Sequence, residues 1–522
     1  MNKHIKYSNS SIFWFFLICC LLLYLYSNTP PRSTQPDNKI NTVLHQVKYN
    51  YVDSVDINSL IESTIYETLK NLDPHSVYMS KEDVLSAMTM MQGSFEGIGI
   101  EFAIHRDTIV IVSVIDNGPS EKAGVIAGGR IIMIEQDTVA GKGFKNQDVI
   151  KKLRGKRGTI VKIGVQESRS EEIQFFSIIR DKIPLESLDV AYEIAPQVGY
   201  IKLNRFSATT FSEFKSELKR LKKEHSIESL ILDLRGNSGG YLDQAIDILN
   251  EFFKGGELLV YTKGNSRKEK KYFSNSFGIF KNQPLCVLID EGSASASEIV
   301  AGAIQDHDRG HVIGERSFGK GLVQEQIALE DGSVIRLTVS RYYTPSGRCI
   351  QKPYSDNQEE YFSETFSRNP ETETDTLKKF TTKKGGIVYG GGGITPEYII
   401  KSKYDSLPTS LVHLYISDFF KNLAFDYVDV HRDQLEKIEM DNFIISKWQE
   451  KEILSQISKW MIAEMGDNFT ENLTREELAQ HQFNIINRLS ALIIRQFWGW
   501  EEMQIFLNQH DEIITTSLSL LK

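Results

Sequence analysis

Between Leu285 and Gln324 the chain reads as a strand, a break, a helix, a second strand and a glycine-flanked lysine. Leu285-Cys286-Val287-Leu288-Ile289 is apolar without alternation, the pattern of a strand buried on both faces. It breaks into Asp290-Glu291-Gly292-Ser293-Ala294-Ser295-Ala296-Ser297-Glu298, after which Ile299, Val300, Ala303 and Ile304 share one helical face. His311-Val312-Ile313-Gly314 follows as a second apolar strand, then Ser317-Phe318-Gly319-Lys320-Gly321-Leu322-Val323-Gln324. Such a stretch is constrained to put a serine at a strand-to-helix junction and to bring a lysine back 25 residues after Ser295.

These are the parts of serine–lysine hydrolase chemistry. A serine hydroxyl is a weak nucleophile until a base takes its proton. At a helix N-terminus, unpaired backbone N–H groups stand ready for the oxyanion that forms during attack. A lysine acts as base only when neutral, so its reference pKa of about 10.4 has to fall toward about 7–8 by burial, roughly 4 kcal/mol of differential interaction. Gly319 and Gly321 let the backbone tuck Lys320 inward, and the neutral Gln324 can orient the amine without recharging it. The same stretch nearly spells a phosphate loop, Gly314-Glu315-Arg316-Ser317-Phe318-Gly319-Lys320-Gly321. That reading fails because Gly321 stands where Ser or Thr must bind magnesium, and because the following residues alternate like a strand.

The segment resembles the catalytic core of the carboxyl-terminal processing proteases, a family of serine–lysine peptidases with an embedded PDZ domain. Ser293 to Glu298 matches the family's Ser-Ala-Ser-Ala-Ser-Glu block, and Phe318-Gly319-Lys320-Gly321 matches its Phe-Gly-Lys-Gly block. The resemblance implies Ser295 as nucleophile, Lys320 as general base and Gln324 as its support. Arg235-Gly236-Asn237-Ser238-Gly239-Gly240, a glycine loop between a strand and a helix, then becomes the oxyanion loop, with Gly239 (Gly240 next) sharing the task with the N–H of Ala296. Phe95-Glu96-Gly97-Ile98-Gly99-Ile100-Glu101-Phe102 matches the PDZ loop, placing peptide binding on Gly97, Ile98, Gly99 and Ile100. Leu72 to Met79, with His75 read as a structural turn residue, matches a block preceding that domain.

The resemblance spans about residues 40–400 and implies a multidomain α+β protein. The expected parts are a helical N-terminal domain (40–91), a PDZ domain (92–180), and an α/β serine peptidase core of the Clp protease/crotonase-like type (181–400). A flexible loop at 354–384 interrupts the core, and a helical extension (401–522), outside the resemblance, follows it. Val334 to Tyr343 and Gly347 to Gln351 read as paired strands beside the cleft. The expected activity is endopeptidase cleavage of proteins or peptides captured by their C-termini, with no metal or organic cofactor. The resemblance implies that such an extension serves oligomerisation or shapes the cavity, so a homodimer is admitted. Two rival readings are a non-catalytic PDZ scaffold holding envelope proteins and a crotonase-like acyl-transfer enzyme that binds coenzyme A.

Composition narrows the field further. A net charge of −9 with no basic face argues against a nucleic-acid binder. Cys286 and Cys349, the two cysteines beyond the N-terminal segment, make no disulfide framework and match no metal spacing, so free core thiols are expected. Residues 1–10 are basic and 11–26 nearly continuously apolar, which reads as an uncleaved signal anchor, with a cleaved signal peptide as the alternative, followed by a polar linker at 27–39. That reading places the chain in the cell envelope, anchored in the inner membrane with its catalytic part in the periplasm.

Overall fold

The computed structural model describes residues 37–167, 170, 172–355, 357–366, 377–401, 407–445, 447–465 and 475–522. The chain divides into two compact units, Met1–Tyr78 and Met79–Lys522. The first contains helices α1 (Asp37–Asn50) and α2 (Ile57–Lys70), the second capped by Asp56, whose side chain accepts from the N–H groups of Asn58 and Ser59. After α2 the Asp73 carboxylate accepts from the N–H groups of His75 and Ser76 at 2.8 and 2.9 Å, so His75 sits in an Asx turn.

The larger unit opens with a helix at Lys81–Gln92 and a small antiparallel domain. Strand β1 (Ile100–His105) pairs with Thr108–Val114, and the sheet continues through Arg130–Ile134, Ile160–Gln166 and Ile173–Ile179. Helix α3 (Asn146–Leu153) closes it, burying Val149 and Leu153 against Ile111, Ile131, Ile163 and Ile178.

Next comes a six-stranded sheet in the order β2 (Leu188–Ala195), β3 (Val198–Leu203), β4 (Ser229–Asp233), β5 (Leu285–Ile289), β6 (His311–Gly314) and, at the edge, β9 (Tyr398–Ile399). The β2–β3 pair is antiparallel and the other pairs are parallel. Helices α4 (Thr210–Glu224), α5 (Leu242–Asn250) and α6 (Ala296–Asp306) make the crossovers. Because β3 to β6 advance across the sheet in one direction, right-handed crossovers put all three helices on the same face. On that face Leu230, Leu232, Val287, Ile289 and Val312 meet Phe214, Leu218, Ile248, Val300 and Ile304. The alternate residues Tyr200, Ile231, Cys286, Leu288 and Ile313 point the other way and need a second cover. The C-terminal end of the chain supplies it. Helices α9 (Trp500–Asn508) and α10 (Glu512–Leu520) lay Ile505, Ile513, Ile514 and Leu518 on this face. Cys286 is therefore fully buried, and burial pushes its thiol up to about 12. Both it and Cys349 are free thiols.

A second, antiparallel sheet carries β7 (Leu322–Ala328) against β8 (Val334–Tyr343), with Leu258–Lys263 and Lys270–Phe273 beyond. The strand expected at Gly347–Gln351 does not form. The carbonyls of Cys349 and Ile350 instead accept from the N–H groups of Gly391 and Gly393, so the glycine run takes the place of a partner strand. Within 354–384 lie a helix at Gln358–Ser363 and a strand at Lys378–Thr381. Helices α7 (Phe419–Leu435) and α8 (Gln482–Phe497) enclose a core of their own around Phe420, Val428, Leu489 and Ile493.

The expected transmembrane helix and inner-membrane anchoring are corrected: no helix among the described residues is long and apolar enough to cross a membrane. Residues 11–26, on which that expectation fell, lie outside the described residues, as do 1–10 and most of the linker. Sixteen helical residues would extend about 24 Å at 1.5 Å each, short of a hydrocarbon core of about 30 Å.

Candidate active site

Two loops meet where β4 and β5 end side by side. Leaving β4, Asp233 is fully buried and bound by Arg235, whose guanidinium also donates to Asp511 just before α10 at 2.6 Å. Tyr200 donates its hydroxyl to the same Asp233 carboxylate at 2.6 Å. Burial alone would raise the Asp233 carboxyl, but the Arg235 and Lys202 cations overcome it and hold the group well below the usual carboxylate range. The loop that this pair roots runs Gly236 to Gly240 and is sewn to the loop after β5. Ala294 N–H and the Ser297 hydroxyl both donate to the Asn237 carbonyl (3.0 and 2.8 Å), and the Ser293 hydroxyl donates to the Leu234 carbonyl (2.8 Å).

Ser295 sits at the turn into α6 with φ 54° and ψ −109°, a backbone conformation that a side chain rarely tolerates. The turn lifts its half-buried hydroxyl above the end of the sheet. The N–H of Ala296, first residue of α6, has no acceptor among the described residues. Gly239 lies against this turn. A Cβ there would fall 2.8 Å from the Ser295 Cβ and 2.8 Å from the Ala296 nitrogen, so only glycine fits. Its own N–H donates to the Asn237 side-chain oxygen at 2.9 Å, whereas the N–H of Gly240 makes no hydrogen bond among the described residues.

Lys320 enters from the far side of α6, on the approach to β7. It is half-buried, and its amine donates to the Gln324 side-chain oxygen at 3.0 Å. Gly321 beside it packs where a Cβ would be 2.8 Å from the Gln351 nitrogen. The Ser295 hydroxyl and the Lys320 amine are not hydrogen-bonded to each other.

What joins the two segments is Glu298, a residue to which the sequence reading gave no role. Its fully buried carboxylate accepts from Ser295 N–H (2.8 Å) and Lys320 N–H (2.9 Å) on one oxygen, and from the Ser317 hydroxyl (2.6 Å) and Gly319 N–H (2.7 Å) on the other. Burial raises its pKa and the four donors work against that rise. The signal was legible as Ser295-x-x-Glu298, the spacing by which a glutamate reaches back to the residue before a helix. Asn237, buried and bonded to the Leu203 carbonyl, Gly239, Ala294 and Ser297, was likewise unassigned. His307 and His311 take no part: His307 ends α6 bonded to the Leu258 carbonyl, and His311 is exposed at the start of β6.

In the antiparallel domain, Gly97, Ile98, Gly99 and Ile100 line one end of a groove of about 310 Å³ between β1 and α3. Phe95, Phe102, Ile150 and Leu153 give it apolar walls. Ile150 and Leu153, three residues apart on α3, face β1, the edge strand of the sheet, across it.

One carboxylate thus ties a strained serine turn, beside an N–H without an acceptor among the described residues, to a lysine segment at the end of an α/β sheet. Comparison with known proteins gives the family. The profile of Peptidase family S41 matches residues 197–357. A carboxy-terminal-processing protease of Bartonella bacilliformis is 38% identical over 317 residues, covering 60% of this chain and 72% of the relative. Carboxy-terminal processing protease CtpB of Bacillus subtilis is 36% identical over 348 residues, covering 64% and 72%. A solved PDZ domain of the carboxy-terminal protease from Vibrio cholerae, in complex with peptide, is 33% identical and covers 18% of this chain and 99% of that one, with a TM-score of 0.17. The chain belongs to the carboxy-terminal processing proteases of peptidase family S41 and is a serine-type peptidase acting on protein substrates.

Proposed function

We propose that Ser295 is the nucleophile and Lys320 its general base, with Gln324 orienting the amine. In this reading the Ser295 hydroxyl attacks the scissile carbonyl while its proton passes to the Lys320 amine, and the oxyanion is received by the N–H of Ala296 and by Gly239. Lys320 then protonates the leaving amine, and water resolves the acyl-enzyme. Gly239 serves once its N–H is released from the Asn237 side chain, and the unbonded N–H of Gly240 stands beside it as a further donor. The Ser295–Lys320 bond closes when substrate binds, as loosely set catalytic contacts do. The groove at Gly97, Ile98, Gly99 and Ile100 takes the substrate's C-terminal residues in the manner of a PDZ domain, with an apolar last side chain against Ile150 and Leu153. We assign the core to the Clp protease/crotonase-like class on its consecutive parallel strands with crossover helices on one face.

The observation that carries this reading is the single Glu298 oxygen shared by the N–H groups of Ser295 and Lys320. A core built only for packing has no need to tie those two residues together. Ser295→Ala and Lys320→Ala are each expected to abolish cleavage of a peptide ending in an apolar residue while leaving the circular dichroism spectrum unchanged. Undiminished turnover by either variant sinks the assignment.

A further inference from the structure

Tyr342 lies near the end of β8, in the strand read from sequence only as a flank of the cleft. Its ring is fully buried in the main core, and its own N–H donates to the Gly321 carbonyl at 3.0 Å. The hydroxyl reaches out of that core toward two main-chain oxygens. It is 2.7 Å from the carbonyl of Lys320 and 3.1 Å from the carbonyl of Ser295. A phenol carries one proton, so the bond is shared, with the nearer Lys320 oxygen taking the larger part. The Ser295 carbonyl also receives the N–H of Ile299, the first bond of α6, so the tyrosine touches the helix at the point where the nucleophile turn begins.

From this placement we infer that Tyr342 is a positioning residue for the hydrolysis, its hydroxyl setting the distance between the nucleophile turn and the base-bearing strand. The inference rests on the reading of Ser295 and Lys320 as nucleophile and base. The two residues are 25 apart in the chain and sit on different elements, so their separation depends on non-covalent bridges. Glu298 holds their N–H groups and Tyr342 holds their carbonyls, so each residue is held through the peptide before it and the peptide after it. Glu298 fixes the peptides before the two residues, and the tyrosine bridges the two peptides that follow them. Burial, with the nearby Glu298 charge adding to it, raises the Tyr342 phenol well above its ordinary pKa, so it remains a donor at every working pH.

Tyr342→Phe removes this oxygen and keeps the ring that fills the core. A misplacement on the order of 1 Å between reacting groups costs about 100-fold in rate, so kcat is expected to fall about 10- to 100-fold. KM should stay within about two-fold, because the hydroxyl faces main chain and not the peptide groove. Rate of labelling by a fluorophosphonate, which reports the reactivity of Ser295 without peptide binding, should fall with kcat. Rates are taken per site labelled at completion, so a fraction that fails to fold does not count. Tyr192→Phe is the matched control: it deletes a hydroxyl bonded to Asn508 at 3.0 Å, away from the site, and should lower thermal stability without changing kcat. If Tyr342→Phe keeps the wild-type kcat and labelling rate and only melts earlier, the hydroxyl is structural and the inference is overturned. Ser295→Ala and Lys320→Ala run in the same series separate the two levels. Activity retained by them refutes the nucleophile–base reading, whereas their inactivity beside a fully active Tyr342→Phe refutes the positioning role alone.

Discussion

Ser295 shows how much a single position is made to bear. Its φ of 54° with ψ of −109° lies where a Cβ is unwelcome, and strain of that kind amounts to about 1–3 kcal/mol. The bonds that hold it there are the Ser295 N–H to Glu298 and the Ser293 and Ala294 contacts to the neighbouring loop. Glycine would relieve the strain and alanine would not. Ser295→Gly is therefore expected to raise the melting temperature by about 2–4 °C while abolishing cleavage, with Ser295→Ala equally inactive but no more stable. Equal melting temperatures for the two variants would mean that the turn stores no strain. The same reasoning explains why Glu298 escaped notice in the sequence. A glutamate three residues after a serine is an ordinary helix start, and only the fold reveals that its carboxylate also reaches Ser317, Gly319 and Lys320.

Among elements, the contact of the antiparallel domain with α7 and α8 is the least expected. Asn422, Asp426 and Asp429 lie at helical spacing on α7 and face His105, Arg106 and Arg130 of the domain. Arg495 of α8 pairs with Glu101 on β1, the strand that lines the peptide groove. Arg130 also lies 5.5 Å from the centre of the Phe425 ring, so it is held by both charge and a π-face. A partly desolvated pair of this kind contributes about 1–3 kcal/mol to holding a domain interface. Asp429→Arg should loosen the domain, seen as faster hydrogen exchange across residues 100–134. Adding Arg130→Asp should restore protection. Unchanged exchange in the single variant would show that the ion pair contributes nothing to the docking. Sequence reading had no access to this contact, because alternating charges on α7 and on a hairpin look like two solvated faces until the chain brings them together.

For the molecule as a whole, the C-terminal helices are the second cover of the catalytic sheet. Their removal would expose Tyr200, Ile231, Cys286, Leu288 and Ile313, and would strip Arg235 of its Asp511 partner. The four large ones at about 1.5–3 kcal/mol each are comparable to the net stability of about 5–15 kcal/mol typical of a domain. A chain ending at Gly499 is thus expected to be insoluble or to bind a hydrophobic dye strongly, even though every catalytic residue is present. A soluble, active truncation would show that the sheet tolerates an open face.

The order of strands and helices in the core, the buried character of β4 and β5, and the place of Ser295 at a strand-to-helix turn could all be read from the residues alone. Each is a local pattern: an apolar run, a helical period, a glycine where the backbone turns tightly. The partners of those residues could not be read that way. Helices α9 and α10 cover strands more than 180 positions earlier, Tyr342 reaches Ser295 from another sheet, and the glycine run at 390–393 displaces an expected strand. A hydrogen-bond donor or an apolar side chain looks the same in sequence whoever its partner is, and which partner it meets is settled only when distant segments pack against one another.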